Sequence, residues 1–152
     1  MIGFFNDRKK KKLIKQINAL INSDECREYK GLQKDTKDNY VGVVVCNCLP
    51  LIKVELYHSN GKRSALTSVL KDGVINIGDI QVDKIDLGCG SLAMQALLDF
   101  AKEHRYSKIT GWLSPVDRDH FDRLEHFYRK FGFNVEFNSD RTEGSISLDR
   151  VV

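Results

Sequence analysis

A glycine-rich turn in the second half of the chain has the composition of an anion-binding site. Gly88 and Gly90 stand between a strand-like segment and a helical pattern that begins at Ser91. At such a junction, backbone N–H groups and the helix dipole converge on a phosphate, and glycine lets the anion approach closely. The segment lacks a Walker motif, and Ala93 occupies the last glycine position of a GxGxxG pattern. The turn therefore predicts a phosphate site without identifying the ligand.

The strand that leads into this turn has an irregular apolar pattern. Ile75, Ile77, Ile80 and Val82 are spaced by two, three and two positions. A regular strand keeps a spacing of two, so an extra residue at Gly78-Asp79 would be needed to keep both halves facing the core. We therefore predict a β-bulge there, the alternative being a wrong assignment of the strand's two faces.

A helix near the C-terminus carries a candidate proton donor, Tyr128. Asp119 is suited to begin this helix, and Gly132 to end it, with Phe133 placed for the apolar contact typical of such an ending. Aromatic residues at helical spacing usually belong to a core. A phenol with a pKa of about 10 is also an acid, so the tyrosine is a candidate for both roles.

The surrounding segments predict an α/β (α+β) fold. Hairpin signals at Asn60-Gly61 and Asp72-Gly73 separate strand candidates into an antiparallel meander. A buried helix, a strand, the aromatic helix and a terminal hairpin follow, whereas Asp24 to Asn39 is interpreted as a loop or a short frayed helix. The predicted elements are strands Val41–Cys48, Leu51–His58, Arg63–Leu70 and Val74–Val82, helix Ser91–His104, strand Lys108–Leu113, and the hairpin Asn134–Asn138 with Ser145–Val151.

The composition predicts one globular domain over residues 1–152. The chain has 41% hydrophobic and 30% charged residues, enough of each for a core and a solvated surface. Neither a membrane span of about 20 apolar residues nor a signal-peptide pattern occurs, so we expect no membrane partner and a cytoplasmic location. The four cysteines are then expected to be free thiols, and the four histidines form no metal-binding motif, so no metal is predicted.

An N-terminal basic helix is predicted at about residues 8–22. Leu13, Ile17 and Leu20 lie on one face of it, and Lys9–Lys12 form a run of charge before them. The net charge of +3 does not by itself require a nucleic-acid partner. A solvated helix end is the preferred interpretation, and a polyanion site is the alternative.

Taken together, these motifs resemble the GNAT superfamily of N-acetyltransferases. The resemblance covers about Val74 to Val135 and rests on Gly88-x-Gly90-Ser-Leu before a helix and on Phe127-Tyr-Arg-Lys-Phe-Gly-Phe133 one strand later. It implies a GNAT-like mixed, mostly antiparallel central sheet flanked by helices, with a splayed bulged strand. It also implies acetyl-CoA as cosubstrate.

The resemblance assigns roles to individual residues. Ile80 and Val82 of the bulged strand would flank the pantetheine, and Tyr128 would protonate the departing CoA thiolate. Where the family has Gln or Arg, this chain has Ile85, so the pyrophosphate grip would depend more on backbone amides or on Lys84. The pyrophosphate loop would consist of Leu87, Gly88, Cys89, Gly90, Ser91 and Leu92.

The predicted reaction is direct acetyl transfer from acetyl-CoA to a primary amine in a ternary complex. N–H groups of the bulged strand would polarise the thioester carbonyl, and Asp79, or else Glu55 on a neighbouring strand, would take the amine proton. Cys89 is expected to act through its backbone and not as a nucleophile. The expected partner is a small-molecule or peptide amine, and the protein would be a monomer or a homodimer.

Two alternatives remain open at this stage. The lysine run would hold RNA if the acceptor were an aminoacyl-tRNA, as in GNAT-type toxins. A CoA-binding interaction module without catalysis is suggested by Ile85, whereas Tyr128 favours an enzyme.

Overall fold

The chain folds into an eight-stranded sheet with helices on both faces. A computed structural model describes residues 2–82 and 88–151, with side chains from Asp7 onward. The elements are α1 (Ile2–Asn22), β1 (Arg27–Lys34), β2 (Tyr40–Cys48), β3 (Leu51–His58), β4 (Arg63–Lys71), β5 (Val74–Gln81), α2 (Cys89–Glu103), β6 (Lys108–Leu113), a 3₁₀ helix (Pro115–His120), α3 (Phe121–Lys130), β7 (Asn134–Phe137) and β8 (Gly144–Leu148).

The strand order is β1-β2-β3-β4-β5-β6-β8-β7. Every neighbouring pair is antiparallel except β5 and β6, which are parallel and joined through α2. The arrangement confirms the expected α/β (α+β) class, the antiparallel meander and the terminal hairpin.

One predicted segment was wrong. Asp24 to Asn39, interpreted as a loop or frayed helix, contains the edge strand β1. Its pairing with β2 skips Lys30, so the strand has a bulge that separates the apolar residues Tyr29 and Leu32 by three positions. The bulge therefore hides the spacing of two that identifies a strand.

The N-terminal helix packs on β1, β2 and β3. Leu13 and Ile17 are buried there against Val44 and Tyr57, which confirms the predicted apolar face. The helix begins at Ile2, before the predicted start near residue 8, and ends at Asn22 as expected. Among the helices of residues 2–82 and 88–151, none has both the length and the apolar character needed to cross a bilayer.

The main core lies on the opposite face of the sheet, under α2 and α3. Phe100 and Met94 of α2 and Phe121 of α3 are buried against the central strands. A 3₁₀ helix precedes α3, and Ser114 caps it by accepting a hydrogen bond from the Val116 N–H. For this reason α3 begins at Phe121 and not at Asp119 as expected. This core fixes α2 and α3 relative to the two parallel strands.

Candidate active site

The bulge in β5 lies at the residues that the sequence pattern indicates. Thr67 of β4 pairs with Asp79 and Ser68 pairs with Ile77, so Gly78 is the extra residue. Ile77 and Ile80 both reach the main core, although they are three positions apart. The register therefore turns the intervening Asp79 to the other face of the sheet, together with Thr67.

The two parallel strands separate beyond this bulge. The ladder between β5 and β6 ends at the pair Ile77 and Gly111, although both strands continue. The backbone groups of Gly78 to Gln81 that face β6 are thus outside the parallel ladder. A gap opens between the strands, and it is the splay implied by the resemblance.

The glycine turn forms the N-terminus of α2. Gly88 is the N-cap residue, with a φ of 76° in the left-handed region, and no side chain caps the helix. Gly90 and Ser91 occupy the positions whose N–H groups have no partner within a helix. A Cβ at Gly90 would lie 3.5 Å from the Phe127 ring, so this helix start packs closely against α3. A helix start of this kind can accept an anion.

A lysine lies beside this helix start. Lys130 of α3 donates a hydrogen bond to the Ser91 hydroxyl over 2.7 Å between Nζ and Oγ. Its ammonium also lies 5.1 Å from the Phe131 ring centroid, so aromatic packing holds it near the N-terminus of α2. A positive charge is therefore available here, where the resemblance led us to consider Lys84. Lys84 and Ile85 lie outside the described residues.

Tyr128 is fixed by the end of α3. Gly132 adopts a φ of 90°, and the Phe133 N–H donates to the Tyr128 carbonyl over 3.1 Å, as in a Schellman ending. The Tyr128 ring lies 5.5 Å from Phe133 and 5.2 Å from Phe127, edge to face in each case. The predicted stop at Gly132 and the contact of Phe133 are thus confirmed, and together they hold the phenol in one place.

The phenol is buried but its hydroxyl faces a cavity. Tyr128 is only 5% exposed and lines the cleft between β5, β6 and α3. Within the part of the chain that the structure describes, no hydrogen bond reaches its hydroxyl. Burial, followed by the charges of Asp117 and Asp79, raises the pKa of the Tyr128 phenol to about 12. The group therefore stays protonated at neutral pH and suits a proton donor.

The cleft has a volume of about 530 Å³, which is in the usual range for small-molecule binding sites. It brings together most of the residues that the sequence predicts. These are Asp79, Ile80, Val82, Gly88, Gly90, Ser91 and Tyr128. Leu87 lies outside the described residues.

Two predicted loop residues do not line the cleft. The Leu92 N–H donates to the Gly88 carbonyl over 3.1 Å, so it closes the first turn of α2, and its side chain packs toward β1. The Cys89 side chain is fully buried in the core. Leu92 therefore has no amide to offer a phosphate, and a role for Cys89 would involve its backbone alone.

The alternative base is also outside the cleft. Glu55 is buried under α1, where its carboxylate accepts a hydrogen bond from Arg27 Nε over 2.8 Å and another from the Tyr57 hydroxyl over 3.2 Å. This ion pair raises the pKa of the Arg27 guanidinium and holds the carboxylate under α1, away from the cleft. Asp79 is thus the candidate base that the structure brings to the cleft.

Among the cleft residues that the sequence analysis missed are Trp112 and Asp117. Trp112 near the end of β6 is 63% exposed, and Asp117 lies in the 3₁₀ helix that follows. An apolar residue alternating out of a strand and an aspartate in a polar loop are common, so neither gave a signal. Their place depends on where β6 leaves β5. Among the described residues, no group of side chains is arranged to hold a metal ion.

Comparison with known proteins shows what the fold resembles. No protein-family model matches the chain. The protein YocC of Bacillus subtilis (strain 168) is 42% identical over 90 residues, which cover 59% of this chain and 53% of that protein. The match thus spans about half of that relative's length.

Solved structures match more of the chain. The ribosomal-protein-S18-alanine N-acetyltransferase of Escherichia coli superposes with a TM-score of 0.55 over 68% of this chain and 71% of its own, at 16% identity. An acetyltransferase of the GNAT family from Staphylococcus aureus has a TM-score of 0.53 over 65% and 68%, at 14% identity. Both likenesses concern architecture and not sequence. The chain therefore has the fold of the GNAT superfamily of N-acetyltransferases.

Proposed function

We propose that this protein is an acyl-CoA-dependent N-acyltransferase that transfers acetyl from acetyl-CoA to a primary amine. The observation that carries the proposal is the Tyr128 hydroxyl, which has no hydrogen-bond partner among residues 2–82 and 88–151 and faces a cleft that opens where β5 leaves β6. An uncapped helix start lies at one end of that cleft, with Lys130 beside it. The GNAT fold supports the same reaction class.

The cosubstrate would bind in two parts. Its diphosphate would accept hydrogen bonds from the N–H groups of Gly90 and Ser91, with the helix dipole and the Lys130 ammonium supplying positive charge. Its pantetheine would enter the gap between the strands, beside Ile80 and Val82. The thioester would then lie near Tyr128.

The chain's own groups account for each proton. Asp79 accepts a proton from the ammonium of the acceptor, directly or through water, and the neutral nitrogen attacks the thioester carbon. N–H groups of Gly78 to Ile80 stabilise the oxyanion that forms. When the C–S bond breaks, Tyr128 donates its proton to the thiolate. The phenolate then takes the second proton of the attacking nitrogen through water, and Asp79 returns its proton to solvent. The products are the amide and free CoA thiol.

Direct measurement of binding and turnover tests the proposal. Calorimetry with acetyl-CoA should show a single site, and a thiol-release assay over amines, amino acids and peptides should show turnover. CoA should compete with acetyl-CoA, because both carry the diphosphate that the Gly88 to Ser91 segment would bind. If acetyl-CoA does not bind, the proposal is wrong. Binding without thiol release from any amine would instead favour the interaction module.

One observation supports a second acceptor class, an aminoacyl-tRNA. Within the lysine run of α1, the exposed side chains are Lys9, Lys11 and Lys12. Lys10 is half-buried, with its ammonium 5.4 Å from the Tyr40 ring centroid. Each lysine that contacts a phosphate adds about 0.7 to 0.9 to the slope of log affinity against log salt. Replacing the three exposed lysines with glutamine should therefore flatten that slope. A slope unchanged by the substitutions would exclude this use of the helix.

A further inference from the structure

The cleft opens on a face of the sheet that α1 does not fill. That helix packs on β1, β2 and β3, while Val69 of β4 is 45% exposed and Trp112 of β6 is 63% exposed on the same face. The face of Trp112 follows from its neighbours, since Gly111 and Leu113 point into the core. An acceptor would have open access to the cleft from this side.

Two carboxylates line the cleft beside the open face. The register turns Asp79 to the open face, and Asp117 lies at the cleft in the 3₁₀ helix after β6. Over residues 2–82 and 88–151, no cation lies within ion-pair distance of either one. Arg123 and Lys130 line the same cleft but project from α3, and Lys130 is held at the start of α2 by Ser91. Neither carboxylate is therefore held in an ion pair with a described side chain.

Tyr128 places a further polar group in the same cleft. The residue is 95% buried, but its hydroxyl is open to the cleft and has no hydrogen-bond partner among the described residues. The hydroxyl is therefore available to a ligand or water there. The two carboxylates contribute to its raised pKa, so all three groups share one electrostatic environment.

We infer that Asp117 and Trp112 select an acceptor amine that carries a second positive charge, such as a diamine. The inference rests on the proposed function. One amine would lose its proton near Asp79 and attack the thioester. The other would stay charged, attracted by the Asp117 carboxylate and stacked on the Trp112 ring, an aromatic face that favours cations. An acceptor with a carboxylate in place of the second amine would be repelled.

A matched series of four-carbon acceptors tests this directly. Putrescine, butylamine and γ-aminobutyrate have similar length and differ in the charge at the far end. We expect kcat/KM to decrease in that order, with putrescine above butylamine by about tenfold from the combined ion pair and cation–π contact. Equal kcat/KM for putrescine and butylamine overturns the inference while leaving the proposed function intact.

Substitutions assign the preference to residues. Asp117→Asn should lower the putrescine-to-butylamine ratio of kcat/KM by about fivefold, Trp112→Leu should lower it less, and Asp117→Lys should favour γ-aminobutyrate. Asp119→Asn is the matched control, because Asp119 lies in the same 3₁₀ helix but does not line the cleft. A ratio that Asp117→Asn leaves unchanged contradicts the role of Asp117.

The two proposals fail in different ways. If no amine releases thiol, the proposed function is wrong, and calorimetry of putrescine and butylamine with the CoA-saturated protein still tests the inference. Tighter binding of putrescine, lost in Asp117→Asn, would support a cation site. Equal affinities would overturn it.

Discussion

Two bulges in the same sheet can be compared directly. Each inserts one residue into an antiparallel pair, Lys30 in β1 and Gly78 in β5. At the first, the inserted side chain pairs with Glu28 over 2.9 Å and Glu103 over 3.3 Å, and the neighbouring Tyr29 packs under α1. Ion pairs of Lys30 and packing of Tyr29 thus accommodate the first bulge.

At the second bulge the inserted residue has no side chain and the next strand diverges. The parallel ladder stops at Ile77, and the space beyond it is the cleft that Tyr128 lines. A bulge alone therefore does not make a site. It does so here because the neighbouring strand leaves and no side chain of the described residues fills the gap.

The largest expected effect is at Tyr128, in the cleft beyond the second bulge, and Tyr29 beside the first bulge provides the comparison. Tyr128→Phe should lower kcat by about 10³, the range of general acid catalysis, and change acetyl-CoA affinity little. Tyr29→Phe is the control, because Tyr29 is also a partly buried phenol with a raised pKa but lies under α1. Steady-state thiol-release kinetics measure both. Equal effects of the two substitutions would show that the cleft has no special role.

Deleting the inserted residues is the next test. Without Gly78, Asp79 and Ile80 keep their faces, but the bulge at which β5 separates from β6 is lost. The displaced backbone groups should lower transfer by about 10². Deleting Lys30 should affect stability and leave transfer near normal. Thermal unfolding confirms that each variant folds, and acetyl-CoA titration reports the cleft. Normal transfer in the Gly78 deletion would mean that the bulge does not build the site.

A smaller effect is expected at two left-handed glycines. Gly88→Ala and Gly31→Ala should each lower the free energy of unfolding by about 1 kcal/mol, because both have positive φ, 76° and 108°. A Cβ at Gly88 would also lie 3.3 Å from Thr36 Cγ2, whereas one at Gly31 meets nothing within 4 Å. Only Gly88→Ala should weaken acetyl-CoA binding, by about tenfold, as calorimetry can measure. Equal weakening by both would indicate a general loss of stability.

The smallest effect concerns pH. Because the Tyr128 pKa is raised from 10 to about 12, its protonated form should persist above pH 10. Its contribution to stability is present below pH 10 and lost as the pH rises through about 12. Ultraviolet titration of wild type against Tyr128→Phe should therefore show no difference near neutral pH. A difference by pH 9 would mean that the phenol is not buried as described.

The sequence predicts the second bulge and not the first, for a physical reason. Ile75, Ile77 and Ile80 are all apolar, so a break in their spacing is visible. The edge strand β1 has few apolar residues, and its bulge removes the remaining regularity between Tyr29 and Leu32. An alternating apolar pattern is regular where a strand is buried. An edge strand buries less surface, so its pattern is weaker.

The site divides in the same way. The glycine turn and the end of α3 are local motifs, so Gly88, Gly90 and Gly132 could be interpreted from neighbours in sequence. Trp112 and Asp117 reach the cleft only because β6 diverges from β5, which no local pattern encodes. Glu55 is the opposite case. The predicted meander put it near Asp79, but no local pattern indicated that α1 would cover it or that it would pair with Arg27.

The helix ending at Gly132 also determines what the last two strands do. Phe133, whose ring contacts Tyr128, leads directly into β7, while β8 lies between β7 and β6 and so supports the strand that carries Trp112. The C-terminal hairpin thus connects Tyr128 to the opposite wall of the opening. Shortening or loosening this hairpin should change the alignment of Tyr128 with the acceptor amine. Turnover should then change although neither group has been altered.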